Sequence, residues 1–260
     1  MSTSDQYDAR HGNFPRHGLI PTLPLQIADR IGAGIIDEQF RPAERLKEVD
    51  LATSFGVSRA TVREALRILE NRKLVSIVPQ RGAQVTDLSR KELDDMFEIR
   101  AVLLGLASRR LALQRNQRVS ARLRAGLRVL AAARRDATAY ARESGNLALD
   151  IARMSGNEQL VEHIAMFAQR IGRYARMGLS SQSRRDESFA SWRKLVDAIV
   201  AGDADLAETT HRQLAVRNRT AALEQLQHRQ ASPQRTSRST ASKGSAKGRV
   251  PAARGPRALR

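Results

Sequence analysis

The sequence predicts a mainly α protein: an N-terminal unit of three helices plus a two-stranded wing, followed by an all-helical bundle. Three observations carry this. Residues 47–85 hold two short segments with apolar faces on either side of Gly56, then two β-branched stretches around Pro79-Gln80-Arg81-Gly82. From Ser89 to about residue 227 almost no strand alternation is present. The two ends of the chain, 1–20 and 228–260, have no hydrophobic periodicity at all.

Residues 1–20 mix Ser, Asp, Gly, His and Pro, and are expected to form a disordered N-terminus. From Pro24 onward Ile27, Ile31 and Ile35 recur at every fourth position, one stripe on a helix of about three turns. Arg41-Pro42 is expected to end that helix, because proline disfavours a helical residue before it. Leu51, Ala52 and Phe55 line a second helix that stops at Gly56. Ser58 suits the N-cap of a third, whose Val62, Ala65, Leu66 and Leu69 face inward. Val75 and Ile77 alternate as a half-buried strand does, and Val85 lies on the return strand. These elements make one domain over residues 21–88.

Ser89 and Glu92 have capping-box spacing and open the second domain, residues 89–227. Helices are expected near 89–114, 118–134, 137–155, 157–179, 186–201 and 203–227. Gly156 and Gly202 suit the left-handed position just past a helix end. A helical body of this length has room to close around an internal cavity. Residues 228–260 are expected to be a disordered basic tail.

A length of 260 residues allows two modest domains. Cysteine is absent, which excludes disulfides, thiolate nucleophiles and Cys-based metal sites. The net charge is +18, and the tail holds nine basic and no acidic residues, half of the excess. That implies a polyanionic partner without choosing among DNA, RNA and an anionic surface. No segment reaches the ~18 apolar residues of a membrane helix. The N-terminus does not read as a secretory signal. A cytoplasmic location with no membrane partner is expected.

Within the first domain, Val62 points to the core and leaves Ser58, Arg59, Thr61 and Arg63 on the exposed and N-terminal faces of the third helix. A helix N-terminus favours a phosphate through its free N–H groups and partial positive charge. The two hydroxyls suit phosphate oxygens, and the two arginines suit guanine edges or the backbone. Arg81 at the wing tip is placed for the adjacent minor groove, and Gly82 allows the tight turn. Arginines alone read equally well as a solvated face. A Gly turn, a Ser cap, a wing and an Arg at its tip in one register favour the DNA reading.

At this point a resemblance is visible. Arg41-Pro42, Leu46, Leu51-Ala52, Gly56-Val57-Ser58-Arg59, Val62-Arg63-Glu64-Ala65-Leu66, Leu69, Leu74-Val75 and Arg81-Gly82 are similar to the winged helix of GntR-family bacterial transcription regulators. Two turn positions depart from it: Ala43 stands where that family usually has Gly, and Asn71-Arg72-Lys73 lacks the usual Gly. The resemblance implies that Ser58, Arg59, Thr61, Arg63, Arg81 and Gly82 contact DNA.

The second domain resembles, more loosely, the FCD ligand-binding domain of the FadR-like branch. The matching pieces are Phe97-Glu98-Ile99-Arg100, Leu106-Ala107, Leu111-Ala112, Ser155-Gly156-Asn157 and Asp197-Ala198-Ile199 with Gly202-Asp203 and Ala207. Many such domains hold a divalent metal with one Asp and three His. The aligned positions here are Ser144, Ala148, Trp192 and Leu214, none of them an ordinary ligand, so no metal or other cofactor is expected. Arg100 matches an arginine that often faces the FCD cavity, and it suits a carboxylate clamp. Trp192 suits either core packing or the pocket, and His163, Arg173, Arg176 and His211 are further effector-binding candidates that read equally as solvated residues.

The resemblance therefore implies a homodimeric transcription regulator, usually a repressor. It would bind a double-stranded DNA operator under the control of a small-molecule effector. An acid with an apolar body suits the residues named. The stripe of the first FCD helix, including Leu103 and Leu106, serves either core or dimer contact. The alternative is a nonspecific nucleic-acid-binding protein driven by the basic tail, which leaves the helical body unexplained. An enzyme is not expected, since neither Cys nor the His/Asp set is present.

Overall fold

The structure is a computed structural model that describes residues 21–78 and 80–231; the segments 1–20 and 232–260, both expected to be disordered, lie outside the described residues. Helix α1 (Leu23–Ile36) carries a proline in its first turn, where the missing N–H has no partner to lose. It buries Ile27, Ile31 and Ile35 as their spacing requires. It ends well before Arg41-Pro42, so proline is not its stop signal. Glu38 adopts the left-handed conformation at φ 60°, and the Gln39 N–H reaches back to the Gly34 carbonyl at 2.8 Å. The chain closes its own helix end before the proline is reached.

Strand β1 (Arg45–Leu46) precedes α2 (Glu48–Phe55), which Gly56 terminates at φ 65°. Helix α3 (Arg59–Asn71) begins at Ser58, whose hydroxyl accepts from the Thr61 N–H at 3.1 Å. Strands β2 (Val75–Val78) and β3 (Gly82–Val85) form the wing, with Val75 opposite Val85 and Ile77 opposite Ala83. β1 adds a third, antiparallel strand on the far side of β3. Two residues are too few to show alternation, so the sequence gives no sign of β1. Ile31, Leu66, Leu69, Val75 and Val85 lie in one core cluster behind α3.

The second domain comprises α4 (Arg90–Leu113), α5 (Gln117–Ala132), a 3₁₀ turn (Ala133–Arg135), α6 (Ala137–Met154), α7 (Glu158–Gly178), α8 (Gln182–Ala201) and α9 (Ala204–Ala231). The Ser89–Glu92 capping box forms in full. Gly156 and Gly202 take the left-handed conformation, at φ 72° and 75°. Helix α8 starts earlier than its apolar pattern indicates. The Ser181 hydroxyl caps it, and the Arg185 guanidinium ties down the preceding turn through the Leu179 and Ser180 carbonyls at 2.9 and 2.7 Å. Helix α9 continues to Ala231, past the expected boundary at 227.

Helix α7 joins the two domains. The Tyr174 hydroxyl accepts from the Leu88 N–H at 3.1 Å. Arg173 donates to the Thr86 carbonyl and lies over the Tyr174 ring at 4.9 Å. Arg176 pairs with Glu38 of the winged helix at 2.7 Å, and Arg229 of α9 pairs with the same carboxylate at 2.8 Å.

Ala43, and Lys73 at the end of the Asn71-Arg72-Lys73 turn, both sit at positive φ, 60° and 59°. A left-handed L-residue costs ~1–2 kcal/mol, part of which glycine returns through its larger unfolded entropy. Ala43→Gly and Lys73→Gly are each expected to raise stability by roughly 0.5–1 kcal/mol in chemical denaturation. A loss of stability in both variants would contradict this account of the turns.

Candidate nucleic-acid interface and helical-domain cavity

The N-terminus of α3 and the wing tip present the residues singled out from the sequence. Ser58 and Thr61 share a hydroxyl–hydroxyl hydrogen bond at 2.8 Å. Arg59 is exposed and makes no hydrogen bond or ion pair among the described residues. Arg63 differs: its Nε and Nη2 donate to both oxygens of Glu48, at 3.1 and 2.9 Å. That hydrogen bond holds the Glu48 carboxyl below its ordinary range. An exposed ion pair is worth little, so Arg63 is available for exchange onto a phosphate or base. Arg81 is exposed at the wing turn between two left-handed residues, Gln80 (φ 62°) and Gly82 (φ 81°).

Arg45 joins this face without having been foreseen. It is exposed on β1, and a Cβ on Gly82 would lie 3.8 Å from its Nε. Only the β1–β3 pairing, Arg45 opposite Gln84, carries it to the wing.

The second domain holds a cavity of about 370 Å³, within the range of small-molecule sites. Its walls come from α4, α6, α7, α8 and α9, and Ala33, Ile36 and Asp37 add the end of α1. Arg100 lines it, is 9% exposed, and has an unpartnered Nε and no acid partner among the described residues. Burial pushes its pKa down to about 10, so it stays charged near neutrality. A buried cation without an anion is costly, and a bound anion relieves that cost.

Trp192 also lines the cavity and donates to the Ser144 hydroxyl at 3.1 Å. His211 stands edge-on to the indole, centroids 5.3 Å apart, with Nδ1 2.6 Å from the Ser108 hydroxyl. Asn218 contributes a buried Oδ1 with no partner. Two candidates from the sequence lie elsewhere. His163 is exposed on α7 with Nδ1 2.9 Å from the Gln159 carbonyl, away from the cavity lining. Arg173 is buried at the domain junction, where it holds Thr86 and Tyr174. Helical phase explains both: each lies on a face of α7 other than the one that carries Arg176 into the cavity.

Ser144, Ala148, Trp192 and Leu214, the positions that the resemblance matches to metal ligands, line this cavity together. They offer a single hydroxyl, already engaged by the indole, and two hydrocarbon side chains. This donor set does not fit a divalent metal.

Burial, then the nearby Arg100 charge, pushes the His211 pKa down to about 3, against a weaker opposing hydrogen bond to Leu104. In the unfolded chain the imidazole protonates near its usual ~6.5, so the unfolded state binds the extra proton between these values. Stability is therefore lost as pH falls from about 6.5 toward 3, with a slope of at most ~1.4 kcal/mol per pH unit from this group. His211→Asn is expected to show a shallower acid-side loss in denaturant titrations at several pH values. Parallel curves for the two proteins would contradict a neutral buried imidazole.

Comparison with known proteins agrees with this geometry. Residues 23–85 match the family of bacterial regulatory proteins of the gntR type, and residues 95–217 match the FCD domain. The Nta operon transcriptional regulator of Aminobacter aminovorans is 32% identical over 164 residues, 58% of this chain and 71% of that protein. The uncharacterized HTH-type transcriptional regulator YdhC of Bacillus subtilis is 40% identical over 83 residues, a match that covers 32% of this chain and 37% of that protein. Among solved structures, E. coli McbR/YncC superposes with a TM-score of 0.70 at 22% identity over 79% of this chain and 99% of its own, a likeness of fold. The chain belongs to the GntR family of bacterial regulatory proteins, with an FCD domain behind its winged helix.

Proposed function

We propose that this protein is a sequence-specific DNA-binding transcription regulator, a repressor, whose operator binding is controlled by a small-molecule acid in the helical-domain cavity. One observation carries the reading. A capped helix with the unpaired Arg59 at its start shares a chain with a cavity whose buried Arg100 lacks an anion, and the DNA-reading unit supplies part of that cavity's wall. In this reading Ser58 and Thr61 bind phosphates, Arg59 and Arg63 reach the major groove, and Arg81 with Arg45 lies along the minor groove. Arg100 and Trp192 hold the effector's acid group and apolar body. Membership of a family of regulatory proteins supports a role other than catalysis.

The order of matching pieces over residues 90–222 supports placement in the FadR-like branch. Ile99, Val102 and Leu106 are 50%, 45% and 40% exposed along one face of α4, and this apolar stripe supports a homodimer. Leu103 turns inward and packs against the core. A dimer sets two α3 helices against two half-sites of a near-palindromic operator. No helix among the described residues is long and apolar enough to cross a membrane.

Selection from random DNA followed by footprinting is expected to yield one protected near-palindrome. Arg59→Ala should weaken binding to it by about tenfold or more, as loss of a base-reading arginine does. Arg63→Ala should weaken it as well, with helical content unchanged in both. Uniform coating of DNA, or full operator affinity in both variants, would contradict the reading; uniform coating would favour a nonspecific binder driven by the nine basic residues of 228–260.

A further inference from the structure

We infer that the cavity's ligand is a dianionic organic acid, one acid group on Arg100 and the other on Arg176, and that the second group displaces Glu38 of the winged helix from Arg176. The inference rests on the reading of this cavity as the effector site and adds the ligand's charge and its route to the DNA-binding unit.

The cavity's charges favour two negative groups. Its charged lining among the described residues is Arg100, Arg142 and Arg176 against Asp37, three positive and one negative. Arg142 is exposed and already paired with Glu143 at 3.0 Å, which leaves Arg100, with no acid partner among the described residues, and Arg176, held by Glu38 at 2.7 Å, as the cations a ligand can meet. A monoanion on Arg100 leaves Glu38 in place. A second acid group on Arg176 competes with it. The difference between the two ligand classes is the attachment of the winged helix.

The geometry makes the exchange local. Arg176 sits on the cavity wall with its side chain 21% exposed, and its Nε has no partner, while Nη2 is engaged by Glu38. An acid group arriving from the cavity meets this guanidinium from the inner side. Two carboxylates on one guanidinium repel, so the ligand and Glu38 compete. Glu38 lies in the left-handed turn that ends α1, and Ala33, Ile36 and Asp37 of the same segment already form cavity wall. Competition for Arg176 thus links ligand binding to the position of α1, and the linkage is reciprocal.

Calorimetric titration of the full-length protein tests this. The probes are straight-chain dicarboxylates of four to eight carbons and the monocarboxylates of matching length. In Glu38→Gln, which removes the competing charge, the Kd for the bound dicarboxylates should fall by about fivefold or more. The Kd for monocarboxylates should be unchanged. Arg176→Gln should erase the advantage of the dicarboxylates, and Arg100→Gln should weaken both classes. Glu38→Gly removes the same carboxylate and relieves the left-handed turn, so it should give the same ligand response without backbone strain at that position. An equal response of both acid classes to the loss of Glu38, or no response, overturns the competition and leaves the effector reading standing. Absence of any Arg100-dependent binding by either class overturns both.

Discussion

Burial of the Arg100 guanidinium without a carboxylate sets the terms for the helical domain. Desolvation of a cation is expensive, and folded chains ordinarily answer it with an acid in contact. Among the described residues Arg100 has no acid partner. The Trp192 indole spends its hydrogen bond on Ser144, and His211 is held neutral beside the charge. The result is a largely apolar cavity with a buried positive point in its wall, suited to a ligand that brings its own negative charge. Ser144, Ala148, Trp192 and Leu214 line the same cavity and add no charge to it.

The second constraint is that another domain supplies part of the cavity's wall. Helix α1 is part of the winged helix's own core through Ile27, Ile31 and Ile35, yet its C-terminal turn faces the ligand space. Ile36 packs against α7 at Gly172, where a Cβ would come within 3.1 Å of it. Glu38, Arg176 and Arg229 fasten the same corner electrostatically. The desolvation of the Glu38 carboxylate is outweighed by these arginines, which keep its pKa below the usual range. The cavity wall is thereby joined to α1, which shares a core cluster with α3.

The sequence carried the local parts of this structure well. Ser58, Ser89, Gly156 and Gly202 act where short-range chemistry says they must, as caps and left-handed stops. The turns at Ala43 and at Asn71-Arg72-Lys73 stand out in the sequence, and Ala43 and Lys73 take the left-handed conformation that favours glycine. What was not legible depends on long-range placement. Arg45 reaches the wing only through a two-residue strand. His163 and Arg173 share a helix with Arg176 but point away from the cavity, a matter of helical phase that spacing alone does not settle. Glu38 carried no sequence signal at all, since its partners Arg176 and Arg229 lie far along the chain.

The central claim is that occupancy of the Arg100 cavity is felt by the winged helix through the shared wall at the end of α1. Amide hydrogen exchange on the intact protein, with and without a saturating cavity-bound acid, measures this directly. The account predicts altered exchange at residues 33–40 together with α4 and α9, and no change in either region in Arg100→Gln. Altered exchange confined to α4, α6 and α9, with residues 33–40 unaffected, would contradict it.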